Sequence, residues 1–375
     1  MRNVVSDDKI SDFRDLVNSN SSFVYQIYKD KGGKNLFNLV CSAMDWISVS
    51  VRHLENAPEF DKNIDSRCMQ VYSLISSIDL IFESIKQLHR VFITDKKDPF
   101  YGEKKCFKDR LFANEDDNNY FKTIRACFGA HPVNLNQENS KRFASWPFQS
   151  HFNTGDLSVH LYSRDVGKED LTLNLNINEL LEFLRIRYEY LDVIADRIET
   201  LFVEYQHKLS KEKIETKLDP LEQLYVLRTE SEKRLDNDYY NGEIDDLIMI
   251  FEAEVTDADL VPLADKYKES LLPLIEEIKT NLQEMNIVDL ANDSELRIRS
   301  ELDKELRYEL GKFYTWVHGG RYDPLLEYYF ERFNASTDGK FKFTKTDDIK
   351  LTFLKAKLML RKVRISRSFL PKLTR

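Results

Sequence analysis

In IDSRCMQVYSLISSIDLIFESIKQLHRVF, residues 64–92, the positions Ile64, Cys68, Val71, Ile75, Ile78, Phe82, Ile85, His89 and Phe92 follow one another by alternating steps of four and three. That spacing holds them on one stripe of an α-helix of about 30 residues, some ~45 Å long. So long a helix needs a long partner along its stripe, either an antiparallel neighbour or the same helix of a second subunit. This one element already argues for a helical bundle.

The flanking sequence extends the pattern. Upstream, a helical segment over roughly 8–30 stops at Lys31-Gly32-Gly33. A second helix starts near Asn35 and keeps Leu36, Val40, Ala43, Ile47, Val51 and Leu54 on one face up to Ala57-Pro58. Downstream, Tyr101–Leu111 reads as a short helix, and the Asn-rich run Asn114–Asn119 caps another starting near Tyr120. That helix breaks at Gly129-Ala130-His131-Pro132. Gly129 suits the left-handed position that closes a helix, and Pro132 drives His131 into an extended conformation. Strand patterning is confined to Leu157, Val159, Leu161 and Leu171, Leu173, Leu175, Ile177, which with Gly167 between them make one β-hairpin near 157–177. A long helix over about 178–209 follows. The polar run Ser210–Lys217 before Asp219-Pro220 is the expected boundary between a domain over 1–210 and one over 219–375. Helices at about 220–235, 243–254, 263–285, 294–317, 323–333 and 348–365 fill the second.

The chain has 375 residues, 42% hydrophobic, enough for two domains with cores. Only 11 Gly and 9 Pro argue against a turn-dense sandwich and against the glycine loops of a nucleotide-binding α/β enzyme. Cysteines 41, 68, 106 and 127 form no C-x-x-C, so no zinc knuckle, thioredoxin motif or disulfide framework is expected, and no metal or other cofactor is implied. The opening MRNVVSDDKI lacks a hydrophobic leader core and no 18-residue apolar run occurs; no membrane association is expected, and a reducing cytoplasm is the natural compartment. The net charge of -9 is uneven: from Lys340 to Arg375 there are twelve Lys/Arg against two Asp/Glu. Such a basic tail either reaches for a polyanion or folds back on its own acidic body.

One segment carries chemistry. Arg125-Ala-Cys-Phe-Gly-Ala-His131 places five residues between Arg and His, at a helix end that follows a long amphipathic helix. It resembles the R-x(4–6)-H signature of HEPN domains, helical bundles of many bacterial toxins and antiphage ribonucleases. The resemblance covers about 35–135 and extends through the helix ending near 209; it leaves out the C-terminal half. It implies a homodimer through the N-terminal helices, with two Arg–His pairs in one groove, and metal-independent cleavage of RNA. His131 would exchange a proton near neutrality, and Arg125 would offer a charged, forked donor to the phosphate. Family members often carry Asn, Asp or His directly after the Arg; this chain has Ala126, with Asn134 or Asn136 as loop substitutes.

Further candidates are weaker. Arg142, Trp146 and Phe148 follow the Arg–His segment and can contact or stack on RNA bases. Lys357, Arg361 and Arg364 lie on a basic amphipathic helix suited to RNA. His89 on the apolar stripe reads as a core histidine, Asp79 and Glu83 as a solvated edge, and Trp316-Val-His318-Gly-Gly-Arg321-Tyr322 as a helix end. The expected architecture is all-α: a HEPN-like bundle with a small inserted hairpin, then a second helical domain. The expected function is a HEPN-type endoribonuclease of defence or toxin type, the alternative a non-catalytic RNA-binding or protein-interaction scaffold.

Overall fold

The computed structural model describes residues 4–93, 97–137, 140–149, 156–298, 304–320, 323–337 and 339–368, and their side chains except at 136, 137, 140 and 363–368. The chain is mostly helical and divides into two compact units, Met1–Glu204 and Tyr205–Arg375.

In the first unit the expected opening helix is two, α1 (Asp7–Ser19) and α2 (Ser21–Tyr28). Asn20 separates them: its Nδ2 donates to the Leu16 carbonyl and its backbone leaves the helical region. Next, α3 (Leu36–Glu55) is capped by the Asn35 side chain, and α4 (Ile64–Phe92) by Asn63. By length and composition alone α4 could cross a membrane, although the sequence reading excluded such a segment. Its stripe is buried within the unit, from Cys68 to Phe92, mainly against the antiparallel neighbour α3. The stripe therefore does not itself call for a second subunit. His89 is a core residue: Nε2–H donates to the Lys97 carbonyl (3.0 Å), so Nδ1 accepts from the Tyr190 hydroxyl (2.9 Å).

The segment 101–111, expected as a helix, is irregular because it wraps the carboxylates that open α5 (Asp117–Arg125). Buried Asp117 accepts from the Lys105 and Cys106 N–H groups and pairs with Arg110. Burial alone would raise its pKa, but these donors hold it below the ordinary carboxylate value. After α5 come a four-stranded antiparallel meander and the long helix α6 (Ile177–Lys211). The expected hairpin supplies β3 (Leu157–Ser163) and β4 (Leu171–Leu175). Two strands without apolar alternation extend it: β1 (Leu135–Gln137), which has three residues, and β2 (Ser140–Ala144), which opens on Ser-Lys-Arg. Inside, Phe121 stacks on Phe183 at 4.5 Å, and the guanidinium of Arg187 lies 3.9 Å from the Phe183 ring centre. Arg187 is 1% exposed, and its Nη2 donates to Asn118 Oδ1.

The division falls inside α6, upstream of the polar run taken as a linker. That run is tied to the second unit: Arg234 donates to the carbonyls of Leu209 and Glu212, Gln283 bonds Ser210 and Ile214, and Leu209 and Ile214 join the second core. This unit holds α7 (Pro220–Arg234), α8 (Asp238–Glu252), α9 (Val261–Glu284), α10 (Lys304–Gly319), α11 (Leu326–Ser336) and α12 (Ile349–Ser368). The basic helix α12 runs through the core rather than over the surface. Phe353, Leu354, Ala356 and Met359 are fully buried, packed with α8 and α9.

Residues 205–339 carry 31 Asp/Glu against 17 Lys/Arg, and acids of this stretch, together with Asp347 of the tail itself, pair with the tail's lysines. Lys345 pairs with Glu327, Lys350 with Glu252, Lys355 with Asp347 and Lys357 with Asp246. Burial lowers the Lys357 pKa while Asp246 opposes the shift; Nζ also donates to the Leu296 carbonyl at 2.9 Å. Lys357→Ala is expected to destabilise the protein by about 3 kcal/mol in urea unfolding, because it leaves the half-buried Asp246 carboxylate without its cation and opens a cavity. A surface, RNA-facing lysine would give a change within ~0.5 kcal/mol, and that result would contradict the buried position.

Candidate functional site

One face of α4 organises the surroundings of Arg125 and His131. Asp65, Met69, Tyr72, Asp79 and Glu83 fall at helical spacing beside the buried stripe. The first four face the end of α5, the turn that follows it, or the loop between β2 and β3.

Arg125 is the last residue of α5, and Asp79 Oδ2 lies 3.1 Å from its Nε. The Arg125 side chain is 45% exposed and that of Asp79 17%. Burial pushes the Asp79 pKa up, and Arg125 pulls it back only in part. The carboxylate fixes one edge of the guanidinium, which has five donors in a planar fork. Asp79, read from sequence as a solvated edge, is thus the residue that orients Arg125. Its distance of 46 positions along the chain hid the pair.

The helix does not stop at Arg125. Ala126–Ala130 form a single π-helical turn, in which the His131 N–H donates to the Ala126 carbonyl five residues back. Gly129 does not take the left-handed conformation expected of it. It is there for space: a Cβ at 129 would stand 2.4 Å from two carbons of the Tyr72 ring. The wide turn lets this backbone pass under Tyr72. His131 then leaves the helix at φ -144 and ψ 45. Its carbonyl accepts from the Asn134 N–H at 3.0 Å, and the Pro132 carbonyl from the Ala144 N–H, so the exit is pinned to β2. The imidazole is exposed and has no hydrogen-bond partner among the described residues. Asn134 meets it through backbone; the side chain of Asn136 lies outside the described residues.

Beside this exit is a cavity of about 400 Å³, lined by Met69, Tyr72, Phe128, Pro132, Val133 and Trp146 among others. Trp146 is 59% exposed, and its Nε1–H donates to Asp65 Oδ1 at 3.0 Å. Phe148 packs on His160. Arg142 is a correction: it is buried, and its Nη1 donates to the carbonyls of Leu161 and Glu169, so it is a fastener of the sheet and not an RNA contact.

The tail residues also separate. Lys357 is internal and unavailable to RNA, as described above. Arg361 lies 3.3 Å from Glu295 and over the Tyr267 ring, and lines a cleft in the second unit. The Arg364 side chain lies outside the described residues, as do Arg321 and Tyr322. His318 stacks on Tyr314 and lies 3.6 Å from Asp246, and α10 ends at Gly319. Burial pushes the thiols of Cys106 and Cys127 up to about 12, which leaves them protonated and unreactive. Among the described residues no three His, Cys, Asp or Glu side chains cluster as metal ligands.

The Tyr72–Gly129 contact predicts a reversal of sign. Gly129→Ala alone should destabilise by about 1–2 kcal/mol, since the ring must move. In a Tyr72→Ala background the same change should be neutral or stabilise by up to ~1 kcal/mol through helix propensity. Thermal unfolding of the four proteins of this cycle checks it.

In comparisons with protein-family models, with curated proteins and with solved structures, nothing matches this chain.

Proposed function

We propose that the chain is a metal-independent endoribonuclease of HEPN type, cytoplasmic, acting as a homodimer through its N-terminal helices in a bacterial defence or toxin system. One observation carries this reading: an exposed imidazole with no partner among the described residues and an exposed guanidinium oriented by Asp79 flank a single π turn, next to an open aromatic groove. In the reaction a 2′-oxygen attacks the adjacent phosphorus. The P–O2′ bond forms as the P–O5′ bond breaks, leaving a 2′,3′-cyclic phosphate and a free 5′-hydroxyl. The 2′-proton goes to a base and the leaving O5′ receives one; in the dimer the two His131 rings take these roles. Arg125 keeps the donors on its outer edge for the phosphate oxygens as charge builds on them. Trp146 and Tyr72 give an unpaired base a surface on which to stack.

A second reading, a non-catalytic RNA-binding or protein-interaction scaffold, draws on the ion pair that partly neutralises Arg125 and on Ala126 in place of a polar neighbour.

The test is cleavage of a labelled, mixed RNA pool in EDTA. The native protein is expected to cut and leave cyclic-phosphate ends. His131→Ala should lose ~10²–10⁴-fold in rate, and Arg125→Ala about 10²-fold. Asp79→Asn should lower the rate less than Arg125→Ala does, with an unchanged thermal midpoint, as befits a residue that acts by holding another. RNA bound but uncut by the native dimer would favour the scaffold.

A further inference from the structure

A second cleft lies wholly in the C-terminal unit and does not depend on the ribonuclease reading. It has a volume of about 310 Å³, and its lining comes from α9 (Leu263, Lys266), the 340–341 turn and α12 (Leu358, Arg361, Lys362). Four of its seven lining residues are cationic and none is a carboxylate. In a body with nearly twice as many acids as bases outside its tail, that is an unusual concentration of one sign.

The turn explains how the charges come to the surface here. Gly339 and Lys342 both have positive φ, and between them Phe341 is driven inward to 2% exposure while Lys340 faces solvent. Four basic residues of the tail, Lys345, Lys350, Lys355 and Lys357, are spent on acidic partners. Lys266 and Lys340 form no ion pair among the described residues. Arg361 Nε lies 3.3 Å from Glu295 Oε2, and the planar guanidinium has further donors. Leu263, Phe341 and Leu358 form an apolar floor under these charges.

We infer that this cleft binds a small organic phosphate, its phosphoryl groups held by Lys266, Lys340 and Arg361 and its apolar body laid on Leu263, Phe341 and Leu358. Several cations around one point match a phosphate or diphosphate better than a single carboxylate, and a guanidinium fork fits phosphate oxygens. The volume suits one small molecule and is too small for a nucleic-acid duplex.

Titration calorimetry of the full chain tests this with three probes: adenosine diphosphate (aromatic body), dimethylallyl diphosphate (aliphatic body) and inorganic diphosphate (no body). At least one organic diphosphate is expected to bind one-to-one and at least about tenfold more tightly than the inorganic ion. Lys266→Gln with Lys340→Gln, both on exposed side chains, should weaken it by about tenfold or more. His131→Ala should leave it unchanged, which separates this cleft from the Arg125–His131 region. Failure of both organic probes to bind at millimolar concentration overturns the inference, as does binding indifferent to the double variant. Equal affinity for the inorganic ion overturns the role of the apolar floor. Circular dichroism of the double variant confirms that it is folded.

Discussion

Helix α4 has to be covered along 29 residues, and most of the N-terminal unit is arranged by that demand. Its buried stripe takes α3 on one side, while α5 and the π turn meet it on another. The cover is not purely apolar. Ser77 and Ser84 are buried with the stripe, Ser77 donating back to a carbonyl of its own helix, and His89 is satisfied at both ring nitrogens. A neighbouring face of the same helix holds Arg125 by a carboxylate and presses Tyr72 on the Gly129 backbone. The core helix and the template of the candidate site are thus one element. The rigidity the site needs comes from packing that the fold requires in any case.

The second unit solves a different problem. An acidic set of helices would repel itself, and α12 brings a basic strip into its middle. Lys355 and Lys357 are each 5% exposed. Each has a carboxylate and a backbone carbonyl as acceptors, so neither charge is buried alone. Alternating apolar and basic residues usually signal a surface helix. Here Lys355 and Lys357 run to internal partners.

The sequence was legible where periodicity is long. The bounds of α4, the start of α3 near Asn35 and the helical nature of both halves follow from spacing. Short elements were not: β1 has three residues, too few to alternate, and 101–111 looks helical until Asp117 draws its N–H groups inward. The charged residues were hardest, because a chain read in one dimension does not show their partners. Arg142 and Lys357 look available in sequence, yet each is buried and donates to backbone carbonyls. Asp79 looks idle, yet it is the partner of Arg125. Gly129 sits at a helix end where a left-handed glycine is common, but what requires glycine there is the Tyr72 ring standing over it.

The place of α12 in the order of synthesis has its own consequence. A ribosome making this chain releases residues 205–348 before the helix that fills their core exists. The first unit is compact by itself and can close while that happens, as N-terminal domains generally do. The second must wait with its apolar faces open and Asp246 still hydrated until residues 349–362 emerge. For that interval it is the part of the nascent chain most exposed to chaperones, proteases and its own neighbours.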